Sequence, residues 1–248
     1  MVNFINDNYF IYSLIITAMA TGLCLTGMPI RLFKKIKNIH IASIMNCLFI
    51  SLFCYLMIKV FLNNWNFGFT LKNLTIGIFY YGWPIILLSL IFFIRTYWLI
   101  KPLEKKAEKR TNLIVIIIQI LFGVTVEEII FRGVLLNALI RNLDIAILPI
   151  VIISSVMFGM THLYGMSFKN ISTIFKILLE TICLGVFFSS VYVCSGNLLS
   201  VIILHFILNV FVGLLFNYYK EHFNLFPSKL FFIQSILLMI YGLYLICI

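Results

Sequence analysis

Charged residues are scarce in this sequence, and acidic residues are the scarcest: 10% of its 248 residues are charged and only 8 are aspartate or glutamate, whereas 63% are hydrophobic. A soluble globular domain carries roughly 45–50% apolar and about 25% charged residues. A soluble fold of this length cannot bury so much apolar surface, so its surface must face lipid. The composition therefore excludes a soluble enzyme, a disordered regulator and a secreted disulfide scaffold.

The cysteines form no CxxC pair, and most of them lie inside apolar runs, as small core residues do. They are Cys24, Cys47, Cys54, Cys183, Cys194 and Cys247. We predict neither a disulfide framework nor a cysteine metal site. No lysine or arginine precedes Arg31, and a signal peptide requires a basic start. The first apolar run is therefore predicted to be a retained transmembrane helix.

Long apolar runs dominate the rest of the chain. A transmembrane helix needs about 20 mostly apolar residues, and this rule predicts an all-α, polytopic membrane protein with about eight transmembrane helices. Their approximate ranges are 9–30, 41–62, 74–100, 111–141, 145–163, 171–193, 197–218 and 226–248. The third range contains Trp83-Pro84, which predicts a kink or a late helix start.

The polar segment KPLEKKAEKR, residues 101–110, divides the chain into two parts. Residues 1–110 hold about three helices and this basic cytoplasmic linker. Residues 111–248 hold about five helices and nearly all the polar residues of interest. The sequence contains no convincing internal repeat, which argues against a repeat-built transporter.

The formal net charge of +10 does not predict nucleic-acid binding, because the basic residues form short clusters between apolar runs. By the positive-inside rule, an extracytoplasmic N-terminus puts most of them in the cytoplasm and both termini outside it. The basic residues so placed are Arg31, Lys34, Lys35, Lys37, Arg95, Lys101, Lys105, Lys106, Lys109, Arg110, Lys169, Lys176, Lys220 and Lys229.

Two adjacent carboxylates, Glu127 and Glu128, lie inside the fourth apolar run. A charge at the bilayer centre costs at least about 2.5–3.5 kcal/mol. Arg132 follows Glu128 by four residues, so these two side chains share a helix face and can pair. Glu127 lies about 100° away around the helix, which lets it act as a base while the pair supports it. A Glu–Arg pair that only fixes helix packing is the alternative, although it does not explain Glu127.

Two other apolar runs contain polar side chains. Phe158 and His162 share a face where the fifth predicted helix ends, and an interfacial histidine is the alternative there. His205 and Asn209 share a face of the seventh helix, where an interhelical hydrogen bond is the alternative. Glu127 lies about 21 Å below the end of its helix, and His162 lies about 25 Å below the start of the next. These two residues therefore reach similar depths, whereas His205, at about 14 Å, is shallower.

Three motifs now stand in order along the chain: EEIIFR reads as EExxxR, FGMTH as FxxxH and HFILN as HxxxN. With the flanking stretches FRGVLLNALIRN and SGNLLSVIILH, they resemble the CPBP intramembrane endopeptidase family, also called the CAAX-protease and bacteriocin-processing, or Abi, family. The resemblance covers roughly residues 111–212. It implies eight transmembrane helices around an intramembrane cavity.

The resemblance also implies a role for each matching residue. Glu127 and His162 activate a water for attack on a peptide carbonyl, and a carboxylate with an imidazole suits that task. His205 and Asn209 stabilise the oxyanion, since two donors four residues apart face the same way. The supporting residues are Glu128, Arg132 and Phe158.

A zinc site is the main alternative for the chemistry. Glu127, His162 and His205 would supply one carboxylate and two nitrogens and leave a position for water. The sequence has no HExxH motif, and the resemblance favours a glutamate-dependent, metal-free mechanism. We therefore predict no cofactor, with zinc as the alternative.

We predict an intramembrane glutamic endopeptidase that hydrolyses a peptide bond at the membrane face of a peptide or a membrane-associated protein. The many Ile, Asn, Lys and Phe residues are typical of an AT-rich genome and indicate a bacterial cell membrane. There a peptide precursor, such as a bacteriocin or pheromone, is the expected substrate. The rivals are a non-catalytic membrane scaffold or bacteriocin-immunity protein of the same fold, and a proton-coupled transporter. The sequence indicates no oligomeric state.

Overall fold

The computed structural model describes residues 2–26, 39–61, 68–100, 113–163, 171–218 and 228–248. These ranges consist of helices and a few short turns. Within these ranges the α-helices are α1 (Val2–Thr26), α2 (Ile39–Phe61), α3 (Trp83–Ile100), α4 (Leu113–Glu128), α5 (Asn137–Asn142), α6 (Ile147–Thr161), α7 (Ile171–Ser195), α8 (Leu198–Tyr218) and α9 (Ser228–Cys247). Two π-helical segments complete the helical part, Ile76–Tyr81 before α3 and Ile129–Leu136 between α4 and α5.

These helices coincide with the predicted spans, and the all-α, polytopic membrane fold is confirmed. Helix α4, Ile129–Leu136 and α5 form one continuous rod, Leu113–Asn142, which is the long fourth span. This rod, α7 and Lys229–Cys247 of α9 are long and apolar enough to cross a membrane. Shorter apolar helical stretches within the described ranges match the other predicted spans, and these are Phe10–Leu23, Ile44–Lys59, Trp83–Arg95, Ile147–Thr161 and Leu198–Val212.

The start of α3 follows from its proline. The helix begins at Trp83, so Pro84 lies in the first turn, where its missing N–H breaks no intrahelical hydrogen bond. The predicted range 74–100 is helical on both sides of this point, as Ile76–Tyr81 and α3, with only Gly82 between the two segments.

Helix α7 is packed on both sides, against α6 and against α9. A Cβ added at Gly185 would lie 3.0 Å from Cβ of Ser155 on α6. A Cβ added at Gly242 of α9 would lie 2.9 Å from Cα of Phe187. Transmembrane helices associate through such close van der Waals packing, which small residues permit. The two glycines thus allow α6 and α9 to approach the backbone of α7.

The segment that precedes α3 is hydrogen-bonded to the turn between α7 and α8. Asn197 donates from its amide to the carbonyl oxygens of Thr70 and Lys72, each at 2.7 Å. Gly68 has a φ of +71°, and a Cβ there would overlap the carbonyl oxygen of Gly196. Only glycine adopts this positive φ readily and leaves room for the carbonyl oxygen. These contacts fix the starting end of α8, the helix that carries His205.

The N-terminal helices pack directly on the rod that carries the paired carboxylates. Helix α1 contacts Ile129–Leu136, and α2 contacts α4. The division into residues 1–110 and 111–248 stays a prediction, and the linker 101–110 lies outside the described residues. Most of the basic residues that set the predicted orientation also lie outside them, so the extracytoplasmic placement of both termini stays a prediction.

Candidate active site

The two adjacent glutamates at the end of α4 have different surroundings. The side chain of Glu128 is fully buried, whereas 37% of the Glu127 side chain is exposed. Consecutive helical residues point about 100° apart, so one turns into the bundle and the other towards a cavity. The structure therefore separates the two carboxylates as the sequence predicts.

Glu128 lies in a buried network of charged and polar groups. Its Oε1 accepts from Nη1 of Arg132 at 3.0 Å and lies 2.6 Å from Nδ1 of His205. Because an ionised carboxylate only accepts, Nδ1 of His205 carries the proton. Arg132 donates a second hydrogen bond, from Nη2 to the carbonyl oxygen of Gly185, at 3.2 Å. A buried ion pair needs such extra hydrogen bonds to offset its desolvation.

Aromatic rings enclose this network. The guanidinium of Arg132 lies 4.4 Å from the ring centre of Phe158 and 5.7 Å from that of Phe188. Phe188 also stacks on His205, with ring centres 4.7 Å apart and an interplanar angle of 28°. These faces exclude solvent and attract the cation. Phe158 and Phe188 therefore both cover the network, and no sequence motif indicates Phe188.

His205 connects the buried network to Glu127. Its Nε2 lies 4.0 Å from Oε2 of Glu127, on the opposite side of the ring from Glu128. The amide nitrogen of Asn209 lies 3.2 Å from the same Nε2. The structure thus brings together Glu127, Glu128, His205 and Asn209, although the sequence-based depths predict a shallower His205.

His162 follows the last residue of α6, at the helix end that the sequence predicts. Its Nδ1 lies 3.0 Å from the carbonyl oxygen of Phe158, and because a carbonyl only accepts, Nδ1 is the donor. The Phe158 ring packs edge-on against the imidazole, with centres 4.6 Å apart. This arrangement leaves Nε2 as the nitrogen available for chemistry.

A cavity of about 350 Å³ lies beside these residues. The residues that line it come from α1, α2, the Leu113–Asn142 rod and the end of α6: Thr21, Asn46, Cys47, Ile50, Gly123, Val126, Glu127, Ile130, Phe131, Thr161 and His162. Glu127 and His162 therefore share one cavity, as their similar predicted depths require. His205 and Asn209 are not among the described residues that line it. They adjoin it through Glu127, whose Oε2 lies 4.0 Å from Nε2 of His205.

The N-terminal helices supply polar groups to this cavity, which corrects one expectation. From the sequence, residues 111–248 are predicted to hold nearly all the polar residues of interest. The structure instead places Thr21 of α1 and Asn46 of α2 in the cavity wall. The signal for Asn46 was present in the sequence, since an amide inside an apolar run needs a partner.

A π-helical segment begins directly after Glu128. Such segments are rare and occur frequently at functional sites. The side-chain amide of Asn137 donates to the carbonyl oxygens of Gly133, at 2.9 Å, and Arg132, at 3.3 Å, and lies 2.6 Å from the hydroxyl of Tyr192. These contacts satisfy backbone groups in the irregular segment and tie it to α7.

The metal-free mechanism and the zinc alternative at Glu127, His162 and His205 both stay predictions. In the described ranges, no group of three or more His, Cys, Asp or Glu side chains has the geometry to hold a metal ion.

Comparison with known proteins gives one family. Residues 109–211 match the family model described as type II CAAX prenyl endopeptidase Rce1-like. This range contains the three sequence motifs and the buried network around Glu128. No curated protein and no solved structure matches the chain.

Proposed function

We propose that this chain, whose residues 109–211 belong to the CPBP/CAAX protease family, is an intramembrane endopeptidase in which Glu127 is the base that activates water. The family supports a peptidase with a peptide or protein substrate, and the apolar helices make the chain an integral membrane protein. The observation that carries the proposal is the contrast between Glu127 at the cavity and Glu128 in the buried network.

The reaction begins with a water in the cavity. Glu127 takes a proton from this water, and the hydroxide attacks the carbonyl carbon of the scissile peptide bond. His162 helps to orient the water through Nε2, since its Nδ1–H is held by the carbonyl of Phe158. When the intermediate collapses, the C–N bond breaks and the proton passes to the leaving amine nitrogen. The products are a new carboxyl group and a new amine.

The gap between Glu127 and His205 suits one oxygen atom. Two atoms 4.0 Å apart can both lie about 2.8 Å from a third, which is an ordinary hydrogen-bond distance. Once Glu127 holds the proton taken from the water, its carboxylic acid can donate into this gap, and the oxyanion would occupy it. When His205 is doubly protonated, its Nε2–H donates to the oxyanion, and the carboxylate of Glu128 on the other nitrogen compensates its charge. The amide nitrogen of Asn209 lies 3.2 Å from Nε2, which accepts from it while His205 is neutral. Once Nε2 is protonated it no longer accepts, and the Asn209 amide is released as the second donor to the oxyanion.

The experiment uses the full-length protein purified in detergent and three internally quenched peptides. One is farnesylated and ends in a CAAX tetrapeptide, the second is its unprenylated twin, and the third is a hydrophobic leader peptide. The variants are Glu127→Gln and His162→Ala. Glu180→Gln is the matched control, because Glu180 is also a buried membrane glutamate but pairs with Lys176 at 3.8 Å and is not among the cavity residues.

We expect wild type and Glu180→Gln to cleave at least one peptide at similar rates. Glu127→Gln should lose about 10²–10⁴-fold in kcat, the usual contribution of a general base. Each protein is assayed with and without a strong zinc chelator. Cleavage that the chelator abolishes and zinc restores would overturn the metal-free mechanism. Cleavage that survives in Glu127→Gln would overturn the role of Glu127, and no cleavage by a folded wild type would favour the scaffold or immunity alternative.

A further inference from the structure

Asn46 is a polar residue of the cavity wall that the proposed reaction does not use. It lies on α2, 7% of its surface is exposed, and it lines the cavity opposite the helix of Glu127. Its Oδ1 is buried and makes no hydrogen bond to any described residue. The amide therefore keeps an unused acceptor beside the cavity.

Two other polar groups of the cavity wall are already engaged. Thr161 donates from its hydroxyl to the carbonyl oxygen of Phe158, at 2.7 Å, and Nδ1 of His162 donates to the same oxygen. A buried amide without a partner costs free energy, so nearly all buried polar groups in proteins are hydrogen-bonded. The uncommitted oxygen Oδ1 of a residue that lines a cavity is thus placed to accept a hydrogen bond from something that enters it.

A peptide is the ligand whose hydrogen-bonding groups match those of the Asn46 side chain. Each peptide unit offers one N–H donor and one C=O acceptor, and both must be satisfied when the chain leaves water. A carboxamide carries the complementary acceptor and donor on one rigid plane. The apolar neighbours Ile50, Ile130 and Phe131 offer no such groups.

We propose that Asn46 is a positioning residue that binds the main chain of the substrate beside the scissile bond, an inference that rests on the proposed endopeptidase function. Its Oδ1 accepts from a substrate N–H, and its amide N–H donates to a substrate carbonyl. The substrate then lies in the cavity that residues of α2 and α4 line, with its scissile carbonyl facing Glu127. Helix α2 lies outside residues 109–211, so the N-terminal part of the chain contributes a binding subsite that the family match does not include.

Asn46→Leu tests this inference, because leucine has the same number of side-chain heavy atoms and the same branching as asparagine but no hydrogen-bonding group. Ser51→Ala is the matched control: Ser51 also lies on α2 and has a buried hydroxyl without a partner, but it is not among the cavity residues. With the peptide that wild type cleaves best, Asn46→Leu should raise KM about 10-fold, the value of one or two hydrogen bonds. Its kcat should change less, its thermal unfolding temperature should not fall, and Ser51→Ala should match wild type.

A binding readout separates this inference from catalysis. Cys47 lines the cavity next to Asn46, whereas Cys247 is exposed at the end of α9. In the Glu127→Gln background, the three peptides should protect Cys47, but not Cys247, from alkylation by N-ethylmaleimide, as measured by mass spectrometry. Adding Asn46→Leu should raise the peptide concentration for half-protection about 10-fold.

The outcomes distinguish the two proposals. Protection of Cys47 that depends on Asn46, without cleavage by wild type, would support the binding subsite and contradict the endopeptidase. Cleavage with equal KM in wild type and Asn46→Leu would overturn the subsite and leave the endopeptidase intact. A lower unfolding temperature in Asn46→Leu with unchanged KM would assign Asn46 to packing, and absence of Cys47 protection by every peptide would overturn the subsite.

Discussion

The buried Glu128–Arg132 pair gives a prediction whose size follows from the structure. Both side chains are fully buried and lie 3.0 Å apart. Arg132→Met keeps most of the side-chain volume but leaves the carboxylate of Glu128 with only the hydrogen bond from His205. Removing one partner of a buried pair costs about 3–5 kcal/mol, because the other charge is left uncompensated. For a chain of this length, that loss lowers the unfolding temperature by about 6–20 °C.

The assay is thermal unfolding in detergent, followed with a maleimide dye that becomes fluorescent on reaction with thiols. Cys54 and Cys183 are 1% and 0% exposed, so they react when the bundle opens. Lys176→Met is the control, because the side chain of Lys176 is 31% exposed and its nitrogen, 3.8 Å from Glu180, is too far for a hydrogen bond. Such a pair is worth at most about 1 kcal/mol.

The double variant Glu128→Gln/Arg132→Met identifies the cause of the loss. Removing both charges also removes the uncompensated one, so the double variant should be more stable than Arg132→Met alone. Two results would contradict an uncompensated charge as the cause. One is unfolding of Arg132→Met within 2 °C of wild type. The other is a double variant whose loss of stability equals the sum of the losses in Glu128→Gln and Arg132→Met.

Two further predictions concern the α7–α8 turn and the cavity. Asn197→Ala removes two hydrogen bonds to the loop 68–75 and should cost about 1–3 kcal/mol in the same assay; an unchanged unfolding temperature would contradict the role of this contact. A Cβ at Gly123, one turn before Glu127, meets nothing within 4 Å, so Gly123→Leu should fill the cavity, lower peptide cleavage at least 10-fold and leave the protein folded. Gly22→Leu is its control, because Gly22 is equally open but is not among the cavity residues, and equal cleavage by both variants would contradict the assignment of the cavity.

The helices and the split between the glutamates were predictable because both depend on local spacing. About 20 apolar residues make a membrane helix wherever they occur, and the start of α3 needs only the position of Pro84. Glu128 and Arg132 pair because residues four apart share a helix face. Neither inference requires knowledge of which helices are neighbours.

The contacts that depend on helix packing were not predictable. Depth along each helix placed Glu127 and His162 together, but it made His205 shallower, whereas its ring lies against Glu128. Tilt and rotation of α8 set this contact, and spacing along the chain contains no information about either. The position of Asn46 in the cavity likewise depends on how α2 packs on α4. The predicted division of the chain at residues 101–110 put these two helices in separate parts.

The rate at which the Glu127→Gln variant cleaves the best peptide, relative to wild type and in the presence of a zinc chelator, tests the central claim most directly. The two side chains are nearly isosteric, so the cavity and the buried network remain, and only the carboxylate base is lost. We predict rapid cleavage by wild type and a loss of about 10²–10⁴-fold in the variant, with equal unfolding temperatures. Cleavage by Glu127→Gln within 10-fold of wild type would contradict the assignment of Glu127 as the base.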